Sequence, residues 1–213
     1  MYDLPYHKEN NAEIIKDFIA KHPFAFLSGV NDTNQPVATQ VPLFFEERGA
    51  KTYLSGHIMR NTDHHKAFMQ NDQVLAVFSG NHTYVSGTWY SNPHTPSTWN
   101  YMSVHARGSI HFLGGAALQN MLRKISLHFE NNNPDSPTAY DNLDPEKMES
   151  IMKAIVAFEI EVTALDNVFK LSQDRDEQSY HNIIKKLRER GDADSDAIAD
   201  EMEQRADLLF PKN

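Results

Sequence analysis

Short apolar runs separated by turn clusters occupy the first half of the chain, and this pattern restricts the possible folds more than any other feature. The runs cover residues 24–30, 37–45, 51–58 and 73–79, with turn-forming stretches such as NDTNQP between them. Runs of this length joined by short turns predict antiparallel strands, the first three as a meander. Pro42 lies inside the second run and has no N–H to donate, so it marks an edge, a bulge or an opening in the ladder.

Helical patterns interrupt and follow these runs, and further strands stand among them. The predicted helices cover residues 10–19, 62–69, 116–129, a segment starting at Asp144, 178–190 and 193–207, and the later strands cover 101–112, 156–162 and 167–171. Strands this numerous with few parallel crossovers predict a mainly β protein with helices, an α+β fold built on a closed or nearly closed antiparallel barrel. The glycine-rich phosphate loops of doubly wound nucleotide folds are absent from the sequence.

Residues 78–110 hold an unusual concentration of aromatic side chains, including both tryptophans, Trp89 and Trp99. Indole and phenol rings combine a flat apolar face with one polar tip, so they suit a wall that holds a flat ligand or a partner chain. The alternative is an aromatic hairpin in a β core. The residues alone leave both interpretations open.

The composition predicts a packed protein of the cytoplasm. The 213 residues are 40% hydrophobic and 23% charged, no apolar run is long enough for a bilayer, and the first residues lack a signal-peptide pattern. Cysteine is absent, which excludes disulfides and thiolate chemistry. The net charge is −9, with the acidic excess after residue 113, so the sequence offers no broad basic surface for nucleic acid. A local basic patch around Lys185 and Arg188 stays open.

The most site-like polar run is SGHIMRNTDHHK, residues 55–66, where a predicted strand ends and a helix begins. Arg60 with Lys66 at a helix N-terminus can hold a phosphate, because the guanidinium forks onto two oxygens and free backbone N–H groups add donors. The alternative is a capped surface helix with scattered charges.

Two other chemistries have little support. His64 and His65 are adjacent, so their side chains diverge on a helix, and the H-E-x-x-H spacing of zinc sites is missing. The sequence has no G-x-S-x-G motif, which would mark a nucleophilic serine. Glu159 and Glu161 fit the wet, solvent-exposed face of a strand better than they fit a catalytic acid/base pair. No catalytic signature is therefore present, and whether the protein is an enzyme stays open.

Four segments of the chain form a recognisable set of motifs. They are residues 38–43 (ATQVPL), Gly56-His57 with Arg60-Asn61, Thr98-Trp99-Asn100-Tyr101 with Val104-His105, and Lys170-Leu171-Ser172-Gln173. Together these segments resemble the PaiB family of FMN-binding negative transcriptional regulators. The similarity covers most of the chain, and the T-W-N-Y block is its most specific element. Gly87 departs from the pattern, since the family is expected to favour proline there, and we expect this glycine to loosen its loop.

The resemblance implies a Greek-key split β-barrel that binds FMN at the interface of a homodimer. Residues 1–173 would be the FMN-binding split-barrel domain with inserted helices, and residues 174–213 a C-terminal helical extension of it. The cofactor-binding residues that the resemblance implies are Thr39, Gln40, Val41, Pro42, His57, Arg60, Asn61, Lys66, Trp99, Asn100, Tyr101, Ser172 and Gln173.

Each group of residues has its own implied role. Residues 39–42 would run beside the isoalloxazine ring, with backbone groups free to bond it because Pro42 interrupts the ladder. Arg60 and Lys66 would hold the phosphate. Residues 99–101 would form a wall reached from the partner subunit, and residues 172–173 would complete the pocket.

Four functional hypotheses follow from the resemblance and the residues. The first is an FMN-binding protein that influences transcription, directly or through a partner, although no helix-turn-helix is visible and the charge does not support DNA contact. The second is a flavin oxidoreductase with a nicotinamide donor, in which the chemistry belongs to the flavin. The third is a haem-binding split barrel that uses His57 or His105, and the fourth is a dimer without cofactor.

Overall fold

The computed structural model describes residues 1–211, and seven strands and six α-helices lie in this range. The strands are β1 (Phe24–Val30), β2 (Pro36–Pro42), β3 (Phe44–Arg48), β4 (Lys51–Met59), β5 (Gln73–Val85), β6 (Thr98–Leu113) and β7 (Ile155–Lys170). The helices are α1 (Ala12–Lys21), α2 (Asp63–Gln70), α3 (Gly115–Phe129), α4 (Pro145–Ala154), α5 (Glu177–Arg190) and α6 (Ala193–Leu209). The last two residues of the predicted C-terminal extension lie outside the described residues.

The chain divides into two compact units. The barrel unit consists of Ile19–Phe78 and His105–Leu165. The terminal unit consists of Met1–Phe18, Ser79–Val104 and the described residues from Asp166 onward. Within the described part of the chain, no helix combines the length and the apolar character that crossing a membrane requires.

The barrel unit contains all or part of seven strands, hydrogen-bonded in the order β2-β1-β5-β6-β7-β4-β3. β2 and β3 stand at opposite ends of this order, yet a single residue, Leu43, joins them. One residue spans only a few ångströms, so the two edges of the sheet lie side by side at this point. The antiparallel sheet is therefore curled into a barrel, which confirms the predicted fold class.

Pro42 divides what the sequence predicted as one strand over residues 37–45, and the predicted three-strand meander is therefore wrong. β2 pairs with β1, whereas β3 pairs with β4. The proline cannot donate to a ladder, and the next N–H, that of Leu43, donates to the carbonyl of Pro23 over 2.8 Å. The chain thus leaves one edge of the sheet and enters the other within two residues.

Alternate residues of the strands fill the barrel interior. Leu27, Leu54, Phe158 and Ile160 are each fully buried. Burial of an apolar side chain of this size contributes about 1.5–3 kcal/mol to folding. On the opposite face of β7, the carboxylates of Glu159 and Glu161 pair with Arg48 at 2.9 Å and Lys51 at 2.8 Å, as the predicted wet face requires.

A second apolar cluster of the barrel unit lies under α3. It consists of Phe44, Leu118, Met121, Ile155 and Ala157. Leu118 and Met121 are three residues apart in α3, so they fall on one face of that helix and pack on β3 and β7.

The terminal unit contains the helical hairpin α5–α6. The carboxylates of Asp176 and Asp192 accept hydrogen bonds from backbone N–H groups in the first turns of α5 and α6, which stabilises each start. Gly191 ends α5 in the left-handed conformation, with φ of 68°. The buried hydroxyl of Tyr180 donates to the carbonyl of Met202 over 2.9 Å. The two predicted helices separated by Gly191 are confirmed.

Three strands are longer than predicted. β5 continues to Val85, and β6 begins at Thr98, so the T-W-N-Y block lies inside a strand. β7 is one continuous strand where the sequence predicted two, over residues 156–162 and 167–171. Strand ends are hard to predict because ladder partners, which lie far away in sequence, decide where pairing stops.

Gly87 is hydrogen-bonded and closely packed within its loop, so the expectation that it loosens the loop is wrong. It is buried, and its N–H donates to the hydroxyl of Ser97 over 2.9 Å. A Cβ at this position would stand 2.1 Å from the carbonyl oxygen of Thr95. A proline here would lose the hydrogen bond as well, so this segment is built around the glycine.

Candidate functional site

A cavity of about 340 Å³ lies in the barrel unit where β2 and β4 face each other. Its lining consists of Thr39, Gln40, Val41, Pro42, His57, Ile58, Met59, Thr62, His64 and Ile155. The structure therefore brings five of the predicted site residues together around one space, namely residues 39–42 and His57.

The register of the strands explains why the barrel opens here. β3 pairs with β4 only as far as Phe44 opposite Ser55, whereas β7 pairs with β4 up to Met59. The end of β4, residues 56–59, therefore has a ladder partner on one side only. β2 is the other edge of the sheet, paired with β1 alone. Within the described residues no ladder joins these two facing edges along residues 56–59, which leaves a split in the barrel, and the cavity occupies it.

Gly56 marks where this split begins. A Cβ on this residue would stand 3.0 Å from the carbonyl oxygen of Pro42, so β2 and β4 touch at this point. Beyond it, along residues 57–59, the strands diverge and the cavity opens. An edge strand directs every second N–H and C=O pair away from its neighbour, so β2 offers backbone donors and acceptors on its open side.

His57 lines the cavity and also has one buried polar atom that is unsatisfied. Its Nδ1 is buried and has no hydrogen-bond partner within residues 1–211. Burial lowers the pKa of His57, so the ring is neutral at pH 7 and each nitrogen serves as one donor or one acceptor. Buried polar atoms in proteins almost always have a partner, so the free nitrogen of a residue at a cavity calls for a group outside the described chain that could bond it.

α2 begins shortly after β4, whose end lines this cavity. The start of α2 carries two cations that have no ion-pair partner in the described chain. Thr62 caps the helix, since its hydroxyl oxygen accepts the N–H of His65 over 3.3 Å. The Nε of Arg60 donates to the carbonyl of Ile155 over 2.9 Å, which fixes the base of the guanidinium and leaves its two terminal nitrogens without a described partner. Lys66 is exposed and likewise has no ion pair in the described chain.

Asn61 shapes the turn between β4 and α2. It adopts the left-handed conformation, with φ of 64°, and its N–H donates to Nδ1 of His65 over 3.2 Å. Burial, followed by the positive charge of Arg60, lowers the pKa of His65. Arg60, Asn61 and Lys66 do not line the cavity itself.

The predicted residues of the T-W-N-Y block lie in the terminal unit and have different surroundings from one another. Trp99 is 52% exposed, and its ring is 6.0 Å from that of Tyr84. Asn100 is fully buried, and its carbonyl oxygen accepts the hydroxyl of Ser172 over 2.9 Å. Tyr101 is half-buried, and burial raises its pKa. Trp99 thus offers a ring to a ligand or partner, whereas the amide of Asn100 is used inside the unit.

Ser172 and Gln173 hold the loop that follows β7. Ser172 has a positive φ of 62° and bonds Asn100. The side chain of Gln173 accepts the N–H of Leu171 over 2.8 Å and donates to the carbonyl of Phe169 over 2.5 Å. These contacts give both residues structural partners in the terminal unit.

Sequence reasoning missed half of the cavity lining. Thr62 and His64 fall in the run SGHIMRNTDHHK, which was predicted as the most site-like, so that signal was present. Ile58 and Met59 fall in the same run, but they are apolar and were not chosen as ligands, and nothing in the sequence distinguishes Ile155 from core residues. As for metals, no group of three or more His, Asp or Glu residues that could hold one is found among the described residues.

Comparison with known proteins places the chain in a family. A family model described as "Putative FMN-binding domain" matches residues 1–164. "Protease synthase and sporulation protein PAI 2" of Bacillus subtilis (strain 168) is 33% identical over 205 residues, covering 96% of this chain and 98% of that protein.

Solved structures support the fold. The FAD and haem binding protein from Mycobacterium smegmatis superposes with a TM-score of 0.57 at 17% identity, over 77% of this chain and 73% of that chain. The flavocytochrome Anf3 from Azotobacter vinelandii gives 0.56 at 15% identity, over 79% and 72%. At these identities the likeness concerns the fold alone. The family model and the Bacillus relative together show that the chain belongs to the PaiB family of FMN-binding split-barrel proteins.

Proposed function

We propose that this protein holds FMN in the split between β2 and β4. One observation carries the proposal: an edge strand lines one side of the cavity, and His57, with its unpartnered buried nitrogen, lines the other. The isoalloxazine ring of FMN is a flat apolar body with polar groups along its edge, so it offers the partner that His57 lacks. When bound, FMN supplies redox chemistry that no side chain of this protein can provide.

The protein's own groups would orient the ring and exclude water. The open edge of β2, along residues 39–42, would donate and accept backbone hydrogen bonds, and Pro42 keeps that edge free of a ladder. Neutral His57 would fix one further polar atom. Val41, Ile58 and Ile155 are largely buried side chains that would pack against the apolar part of the ring.

Arg60 and Lys66 would bind the phosphate. The guanidinium of Arg60 is already anchored through Nε to the carbonyl of Ile155, so little side-chain entropy remains to be lost when its terminal nitrogens bond an anion. The N-terminus of α2 adds the positive end of the helix dipole. Asn61 would keep the turn in the shape that aims these groups.

We propose further that the working form is a homodimer, with Trp99 and Tyr101 of one copy forming a wall for the other copy's cofactor. Support comes from β1, where Phe24 is 63% and Phe26 is 45% exposed on one face of the barrel unit. Two neighbouring exposed phenylalanines are typical of a surface that another protein covers.

Replacing both phenylalanines by aspartate is expected to convert the dimer to a monomer, because two carboxylates would have to be desolvated in the interface. Sedimentation velocity measures the outcome. The matched control is Met69→Asp, which changes a 66% exposed side chain on α2. A wild-type protein that sediments as a monomer at micromolar concentration would contradict the dimer.

Transcription is the proposed output. The supporting observation is the relative named for protease synthesis and sporulation, which is 33% identical. The net charge of −9 favours an effect through a partner protein over direct DNA contact. Transcript profiles of cells that carry wild type or His57→Phe would differ if cofactor occupancy is the signal, and identical profiles would exclude that link.

Titration of FMN with purified protein tests the cofactor site. We expect saturable quenching of flavin fluorescence, with about tenfold weaker binding in His57→Phe, because one hydrogen bond from a desolvated ring is lost. The variant should unfold at the same urea concentration as wild type or a higher one, since the nitrogen that it removes has no partner to lose.

His94→Phe is the matched control, because His94 lies exposed in a loop of the terminal unit. It should bind FMN like wild type. If wild type leaves flavin fluorescence unchanged, the proposed site does not exist. If His57→Phe binds with wild-type affinity, FMN binds elsewhere.

A further inference from the structure

Two buried polar atoms of the terminal unit lack a hydrogen-bond partner within residues 1–211. They are the hydroxyl of Tyr90, a residue only 6% exposed, and Nε of Arg175. The guanidinium carbon of Arg175 lies 4.6 Å from the centre of the Tyr90 ring. The guanidinium therefore lies over the ring of the residue whose hydroxyl also lacks a partner.

Each atom has a proton to donate, although the hydroxyl oxygen of Tyr90 can also accept. An arginine Nε carries a proton at every physiological pH, so it donates only. Burial raises the pKa of Tyr90, with the charge of Arg175 opposing, and the hydroxyl therefore keeps its proton. A buried donor without an acceptor costs about 1–3 kcal/mol. Two such donors beside each other indicate that the acceptor is a bound molecule.

The loop that carries Arg175 adds a second cation. The N–H of Arg175 donates to the carbonyl of Ser172 over 3.1 Å, which closes a turn just after Lys170. The ammonium of Lys170 bonds the hydroxyl of Thr98 and the carbonyl of Trp99. Burial lowers the pKa of Lys170, and the charge of Arg175 lowers it further. A desolvated cation held near another cation is stabilised by an anion.

One carboxylate faces the same region. Asp174 stands 3.5 Å from a terminal nitrogen of Arg175, and its charge raises the pKa of Lys170 against the effect of burial. This pairing is loose, and it leaves Nε of Arg175 free. Two cations against one carboxylate leave an excess of one positive charge.

We propose that Tyr90 and Arg175, with Lys170 adding charge, bind a small oxyanion, either a carboxylate or a phosphate group. One oxygen would accept the hydroxyl proton of Tyr90 and another the N–H of Arg175. None of these three residues lines the cavity between β2 and β4 or belongs to the start of α2, so the site goes beyond the proposed FMN site.

Thermal unfolding of the FMN-free protein tests the proposal. Sodium phosphate and sodium acetate are each compared with sodium chloride at equal ionic strength. We expect the Tm of wild type to rise with one of the two oxyanions, since a ligand that binds only the folded state stabilises it. In Tyr90→Phe the rise should disappear, whereas the Tm in chloride should not fall, because the lost hydroxyl had no partner.

Arg175→Lys keeps the charge and removes Nε, so the oxyanion should bind at least about tenfold more weakly. Arg107→Lys is the matched control, because Arg107 is exposed in the barrel unit, and it should respond like wild type. The proposal is overturned if wild type shows no response to either oxyanion. It is also overturned if Tyr90→Phe loses the same stability in chloride and in the oxyanion, which would identify a structural water as the partner.

Flavin fluorescence distinguishes the sources of the oxyanion. If phosphate competes with FMN and Arg175→Lys weakens FMN, the bound group is the cofactor's own phosphate. If FMN binding is unaffected, the site takes an oxyanion from another molecule. Both results support the site, and neither depends on His57, so this proposal and the FMN cavity can fail separately.

Discussion

Gly108→Ala is expected to destabilise the protein by about 3 kcal/mol, because small-to-large changes in a close-packed interior cost about 1–3 kcal/mol and sometimes more. A Cβ on Gly108 would stand 2.2 Å from the carbonyl oxygen of Glu161 and 2.8 Å from the side chain of Ile160. Contact at 2.2 Å with backbone cannot be relieved by a rotamer change, so β6 or β7 has to move. Both strands belong to the barrel sheet, so the displacement reaches its core.

Gly115→Ala is the matched control for this substitution. A Cβ there would meet nothing within 4 Å, and Gly115 is the first residue of α3. Alanine in a helix is more favourable than glycine by about 0.5–1 kcal/mol, so this variant should be as stable as wild type or more stable. Urea unfolding followed by circular dichroism measures both. Equal midpoints for the two variants would show that β6 and β7 do not approach as closely as the structure indicates.

The close approach at Gly108 also shows where prediction from sequence stops. The sequence predicted β6 from its own apolar pattern, which is local information. It could not reveal which strand lies beside Gly108, because β7 begins more than forty residues later. Strand pairing is decided by burial and by register between distant segments.

Pro42 illustrates the same limit at the site. Its missing N–H predicted an edge, a bulge or an opening in a ladder, and the structure has an edge strand that opens from β4 there. The residue did not predict that the chain changes edges there, since that depends on β4, which is the partner of β3. By contrast, the cap of Thr62 on α2 was predictable, because a cap joins groups only three residues apart.

The resemblance to the family implied a binding role for every predicted site residue. The contacts in the structure divide these residues into two groups. Residues 39–42 and His57 share one cavity, so the structure brings these five together, and their role toward a cofactor stays a proposal. Asn100 and Ser172 bond each other, which is a use that a motif cannot reveal. A motif records that residues recur together, and only coordinates distinguish a ligand contact from an internal one.

Reversing the charges of Arg60 and Lys66 together is expected to lower FMN affinity by at least about a hundredfold. Each charge-assisted hydrogen bond to the phosphate contributes about 1.5–3 kcal/mol, and every tenfold change in affinity corresponds to about 1.4 kcal/mol. Two lost bonds therefore give a factor of roughly a hundred to ten thousand, and two new carboxylates beside a phosphate dianion increase it further. Lys66 has no described partner and Arg60 has only the carbonyl of Ile155, so Arg60→Glu/Lys66→Glu should still fold.

Riboflavin separates a phosphate effect from a change of the ring site, because it carries the same ring and no phosphate. The double variant should bind riboflavin as wild type does, within about threefold, which is well under one hydrogen bond. Arg107→Glu/Lys147→Glu changes the net charge by the same amount at exposed positions of the barrel unit, and it controls for general repulsion. If the two double variants lose FMN affinity equally, the loss comes from overall charge. If riboflavin binding falls as far as FMN binding, α2 supports the ring and the phosphate lies elsewhere.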